Sequence, residues 1–193
     1  MFSIRAEPID GLERHGEISI AFEVKTELRM ELLDAGLHGI LLTEQPVHPS
    51  WMKDYDAADG GPKRWTKRFD VSNWGLLGAY TEDRRIGGAV IAFDTSDVYM
   101  LRGRRDLAVL WDLRVVDDAR RSGAGTALFR ASEEWARARE CTALEVETQQ
   151  VNVPACRFYT HMGCTLASVD RYAYAELPQE TRLIWRRQLN PGT

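Results

Sequence analysis

The stretch LAVLWDLRVVDDARRSGAGT, Leu107 to Thr126, decides how this chain is read. Leu107, Val109, Trp111, Leu113 and Val115 recur with a period of two, which predicts a half-buried strand with Asp112 and Arg114 on its other face. Directly after it, Arg120-Arg121-Ser122-Gly123-Ala124-Gly125-Thr126 reads as a turn that opens a helix. Glycines at a helix start leave several backbone N–H groups facing outward, with the positive end of the helix dipole behind them. Gly123 and Gly125 let a bulky anion such as a pyrophosphate approach the main chain, and Arg120 and Arg121 add positive charge. The same glycines would also serve an ordinary strand-to-helix turn, and neither GxxxxGK[ST] nor GxGxxG is present.

Working downstream, Ala124, Leu128, Ala131, Trp135 and Ala138 form one apolar helical face, with Glu133 and Arg137 as an i,i+4 pair on the outside. Leu144 to Gln149 is the next strand, carrying Leu144, Val146 and Thr148 on one side and Glu145, Glu147 and Gln149 on the other. A second helix starts near Pro154, with Ala155, Phe158, Tyr159 and Met162 on one face and Gly163 placed to end it. Two strand-like runs follow, Leu166 to Tyr174 and Arg182 to Leu189.

Upstream, Gly75 to Tyr80 and Ile86 to Phe93 read as a hairpin around the turn Thr81 to Arg85. Ile18, Ile20, Phe22 and Val24 alternate as an early strand. Thr26 to Leu42 fits neither period, and Pro46 and Pro49 are expected to close that segment off. Residues 50–74 are rich in charge and aromatics, as a loop and short helix covering something would be. Strands alternating with helices after a hairpin predict an α/β fold, a mixed sheet with helices on its faces, in one domain over residues 1–193. Within it, 1–74 would supply the early strand and covering segment, and 75–193 the core.

The 193 residues carry 25 Lys+Arg, 29 Asp+Glu and 44% hydrophobic side chains, enough apolar content for a packed core without disulfides or metals. No apolar run reaches the ~20 residues of a bilayer span, and Met1 to Glu7 has no signal-peptide core, so a cytoplasmic chain is expected. Cys141, Cys156 and Cys164 show no CxxC spacing, and His15, His38, His48 and His161 no ligand or triad spacing. No metal and no role for these histidines is expected. A net charge of −4 argues against nucleic acid as a partner. Residues 1–60 hold 12 acidic and 5 basic side chains, which favours cationic partners.

The loop Arg120-x-x-Gly123-x-Gly125, followed by Asn152 and by Phe158-Tyr159-x-x-x-Gly163, resembles the signature of the GNAT superfamily of acetyl-CoA-dependent N-acetyltransferases. Cys164 stands where that family usually has Phe. "LWDLRV" (Leu110 to Val115), "LEVETQQVNVPACRFYTHMGC" (Leu144 to Cys164) and "RYAYAELPQETRLIW" (Arg171 to Trp185) are similar to the streptothricin acetyltransferase group within it. The resemblance is good over roughly the last 85 residues and loose over the front.

The resemblance implies a sheet whose fourth and fifth strands splay, with the cofactor's pantetheine arm on the backbone of Leu113 and Val115. It puts the pyrophosphate on Arg120 and on the amides of Arg121, Ser122, Gly123, Ala124, Gly125 and Thr126, and brings Asn152 to the thioester arm. Tyr159 would protonate the leaving thiolate; the alternative is a core aromatic. A base must take a proton from a cationic amine, and Asp112, Glu147 and Glu145 are the candidates. Cys156 would be packing. The implied reaction moves acetyl from acetyl-CoA to a primary amine of a small cationic molecule, with a streptothricin-type antibiotic and its β-lysine amine as the specific expectation. A peptide or protein amine acetyltransferase and a non-catalytic acyl-CoA-binding module are the alternatives, and a homodimer is compatible with all three.

Overall fold

The computed structural model describes residues 2–189. In chain order they form β1 (Ser3–Glu7), α1 (Leu12–His15), β2 (Phe22–Leu32), β3 (Ile40–Lys53), α2 (Tyr55–Asp59), α3 (Pro62–Arg68), β4 (Gly75–Thr81) and β5 (Arg84–Ala92). Next come β6 (Leu107–Val115), α4 (Ala124–Arg137), β7 (Ala143–Gln149), α5 (Val153–His161), β8 (Thr165–Asp170) and β9 (Arg182–Gln188). Among the described residues the strands make a seven-stranded sheet, order β1-β4-β5-β6-β7-β9-β8, and a separate two-stranded ribbon of β2 and β3. The α/β expectation of a mixed sheet with helices holds: β4, β5 and β6 are antiparallel neighbours, and β6 and β7 run parallel.

The described residues fall into two compact units, residues 2–20, 54–146 and 186–189 in one and residues 21–53 and 147–185 in the other. In the first, α4 packs on β4, β5 and β6. Leu76, Leu77, Val90, Ile91, Leu128 and Phe129 are fully or almost fully buried there. Apolar side chains on both faces of β4 and β5 are what a strand covered on two sides requires. In the second unit, β2 and β3 lie antiparallel and α5 packs on β2.

Four expectations need correction. The prolines do not close off the segment after Leu42, because β3 runs through both of them. Pro46 stands opposite Thr26, and Pro49 falls among residues 47–50, which are out of register across from Lys25. A ribbon of two strands gives each an outer edge, where a missing N–H costs no ladder bond. The early strand starts at Phe22 rather than Ile18.

On β6 the charged face is the buried one: Asp112 and Arg114 are 7% and 3% exposed, while Trp111, Leu113 and Val115 are half-buried. A bulge between Val90 and Ile91 shifts the register opposite Trp111, so the strand does not keep one face throughout. On α4, Glu133 faces inward instead of outward. It accepts from Arg187 at 2.7 Å and Arg130 at 2.8 Å, with Arg137 at 3.6 Å, so its burial is compensated by three guanidinium groups.

Candidate active site

In the first unit the informative strand is β6. Its ladder to β7 is confined to Leu107–Ala143, Ala108–Leu144 and Val109–Glu145. Among the described residues, β6 beyond Val109 has no ladder partner on that side, which leaves backbone groups near Leu113 and Val115 able to pair with an extended ligand. The bulky charged face of the same stretch turns away into the unit.

Asp112 lies within that charged face. Oδ1 faces Nε2 of His15 at 2.6 Å and accepts from Nε of Arg114 at 2.8 Å, while Oδ2 accepts from Nη2 of Arg114 at 2.6 Å. Burial alone would raise the carboxyl, but His15 and Arg114 beside it hold it down at about 2. Arg114 also donates to Asp56 at 2.8 and 3.2 Å and to the Ile18 carbonyl at 2.8 Å. Both Asp112 oxygens are therefore occupied by internal partners. Glu145 is similarly engaged, 2% exposed and bound by Arg102 and Arg186. His15, given no role in the sequence reading, proves central to this network; a histidine in a four-residue helix gives no periodic signal that could have marked it.

After β6 the chain turns through residues 117–123 into α4. Arg121 and Gly123 both have positive φ, and Gly123 is the N-cap in the left-handed region at φ 92. A Cβ at Gly123 would meet only the tip of the Phe2 ring at 4.0 Å, so the approach to the helix start is open. Arg120, Arg121, Ser122 and Thr126 are exposed, Gly125 is half-buried and Ala124 buried. Arg120 pairs with Asp117 at 2.9 Å. The first amides of a helix have no intrahelical acceptor, and this fourteen-residue helix presents them with two arginines alongside. Geometry and charge fit a pyrophosphate.

In the second unit, β7 ends in Glu147, Thr148 and Gln149, and α5 begins four residues later at Val153. Asn152 is its N-cap, accepting through Oδ1 from the amide of Ala155 at 3.2 Å, which leaves its side-chain N–H groups as donors. Tyr159 is 6% exposed with its ring edge-on to Phe158 at 5.2 Å. Cys156 is buried with Sγ 3.4 Å from Oγ1 of Thr148, and burial pushes its thiol up, as suits packing rather than attack. Burial also raises the Glu147 carboxyl, opposed by a hydrogen bond from Tyr174 at 2.7 Å. Tyr174 escaped the sequence reading, although it lies in the quoted stretch Arg171 to Trp185.

The acetyltransferase (GNAT) family matches residues 40–164. This chain belongs to that family. Streptothricin acetyltransferase A of Bacillus subtilis is 35% identical over 80 residues, 40% of this chain and 46% of that protein, so the chain spans about half the length of this relative. Streptothricin acetyltransferase of Streptomyces lavendulae is 26% identical over 172 residues, 88% of this chain and 81% of the other. A Bacillus anthracis crystal structure in complex with acetyl coenzyme A superposes with a TM-score of 0.75 at 24% identity, over 97% of this chain and 99% of that one, a likeness of fold. Membership in the GNAT family agrees with the broken ladder of β6 and the open helix start after it. Among the described residues there is no His/Cys/Asp/Glu group able to hold a metal, and no helix long and apolar enough to cross a membrane.

Proposed function

We propose that this protein transfers an acetyl group from acetyl-CoA to a primary amine of a small cationic molecule, a streptothricin-type antibiotic with a β-lysine amine being the specific substrate. The observation that carries the reading is the match across 88% of the chain to a streptothricin acetyltransferase. The acidic balance of residues 1–60 suits a cationic acceptor.

In this reading the amides of Arg121, Ser122, Gly123, Ala124, Gly125 and Thr126, with the Arg120 side chain, hold the pyrophosphate, the backbone of Leu113 and Val115 holds the pantetheine arm, and Asn152 donates to it. Acetyl-CoA supplies the activated thioester. Glu147 accepts the proton that a cationic amine must lose before it can attack. Among the three carboxylates, Glu147 is preferred because burial raises its affinity for a proton, whereas His15 and Arg114 hold Asp112 low and Glu145 is bound by Arg102 and Arg186. The Tyr159 hydroxyl gives a proton to the departing thiolate.

The test is thiol release from acetyl-CoA by the purified protein, with streptothricin, polyamines, aminoglycosides and lysine-bearing peptides offered as acceptors. Fast release with streptothricin supports the assignment. Release with peptides alone would replace it, and silence across the panel with acetyl-CoA still bound would leave a binding module.

A further inference from the structure

Glu147 and Gln149 are two residues apart on β7 and so share one side of the strand. The phenol of Tyr174 touches both: its Oη lies 2.6 Å from Nε2 of Gln149 and 2.7 Å from Oε1 of Glu147. The direction of these bonds follows from proton supply. An ionised carboxylate only accepts, so Tyr174 must donate to Glu147, and its single proton is then spent. Gln149 must therefore present an N–H to the phenol oxygen, whichever way its amide is drawn.

The loop that carries Tyr174 is tied down on both sides. Gln150 donates through Nε2 to the carbonyl of Gln179 at 2.9 Å and accepts through Oε1 from the amide of Thr181 at 2.5 Å. Glu180, 3% exposed, accepts from Lys53 at 2.5 Å, and Arg182 bonds Asp170 at 2.8 Å where the loop leaves β8 and enters β9. A phenol on a pinned loop keeps its aim without an ordering cost at the moment of reaction.

We propose that Tyr174 is a positioning residue for the reaction: steadied by Gln149, it aims its hydroxyl proton at Oε1 of Glu147 and keeps that carboxylate ionised and oriented to accept a proton from the acceptor amine. The inference rests on Glu147 being the base. Among the described residues, Arg182 favours the ionised form and Asp170 opposes it. These two are paired with each other. Burial acts against the ionised form as well, and the hydrogen bond from Tyr174 favours it.

Tyr174→Phe removes one oxygen atom and tests this. The Glu147 carboxyl is followed by carbon NMR titration of the full-length protein labelled in glutamate, the signal being identified by its loss in Glu147→Gln. In parallel, kcat/KM with acetyl-CoA and streptothricin is measured against pH. The expected result is that Glu147 takes up its proton at higher pH in Tyr174→Phe, and that the acid limb of kcat/KM moves to higher pH with it, the activity ratio to wild type falling by up to roughly ten-fold across that limb. An unchanged Glu147 titration and parallel pH profiles overturn the proposal. Full activity in Glu147→Gln overturns the base assignment instead, so the two failures are distinct. If Tyr174→Phe does not fold, Gln149→Leu serves in its place: it removes the group that orients the phenol, and an unmoved Glu147 titration there overturns the proposal equally.

Discussion

Nε2 of His15 stands 2.6 Å from Oδ1 of Asp112, with the histidine fully buried. The two residues are 97 positions apart, and their contact joins the end of α1 to the middle of β6. On the other side of the ring, Nη2 of Arg85 approaches Nδ1 at 3.4 Å, and Arg85 in turn pairs with Glu7. On the far side of Asp112, Arg114 continues to Asp56 at the start of the covering segment. A row of charged side chains joined through His15 thus ties β1, α1, α2, β5 and β6 into one arrangement. Such rows contribute little net stability over an apolar core, yet breaking one is costly, because the partners left behind stay buried and uncompensated.

Asp112→Asn is therefore expected to destabilise the fold by about 3 kcal/mol, since Arg114 loses its buried bidentate carboxylate and keeps only the more exposed Asp56. Chemical denaturation of the variant against wild type measures this. A change under about 1 kcal/mol would mean the network is solvated in solution.

The same carboxylate sets an acid limit. Its pKa is depressed in the folded protein, from 3.8 to about 2, so on acidification the unfolded chain takes up the proton first. The Asp112 contribution to stability is complete above pH 3.8 and is lost as the pH falls through about 2. Denaturation midpoints measured across this window should drop in wild type, with a shallower drop in Asp112→Asn.

Glu147→Gln is expected to fold normally, bind acetyl-CoA with unchanged affinity and lose about 10²-fold or more in kcat, the range that one general base contributes. Because burial raises this carboxyl above the usual 4.5, the acid limb of kcat/KM in wild type should lie above that value. Calorimetry of acetyl-CoA binding alongside steady-state kinetics separates the two effects, and retained turnover would move the base elsewhere.

At Gly123 the left-handed backbone and the open space before it argue for close approach of a ligand to the main chain. Alanine there meets a conformational penalty of about 1–2 kcal/mol and intrudes on that approach. The Gly123→Ala variant should show a roughly ten-fold higher KM for acetyl-CoA with a kcat close to wild type. An unaltered KM would place the phosphates elsewhere.

Periodicity found the later strands and helices because their apolar residues repeat every two or every three to four positions, a pattern that burial on one side imposes locally. The hairpin of β4 and β5 is legible instead as two apolar runs around a polar turn, and the helix start at Gly123 by the glycines that open it. Periodicity failed on β3, where prolines that normally punctuate a chain sit in a two-stranded ribbon with outer edges. Glu133 reads as an outward-facing charge, and Asp112 and Arg114 as the polar face of a half-buried strand, because sequence patterns register charge but not whether an opposite charge from a distant segment will meet it.

What the sequence by itself determined is the order of strands and helices and the open, cationic start of α4, since both depend on residues close together in the chain. The tertiary structure alone decided which carboxylates are occupied. Asp112 meets His15 and Arg114, Glu145 meets Arg102 and Arg186, and Glu147 meets a tyrosine 27 positions away. Burial and the charge of the nearest partner fix the state of a carboxyl, and both are set by residues that only folding brings together.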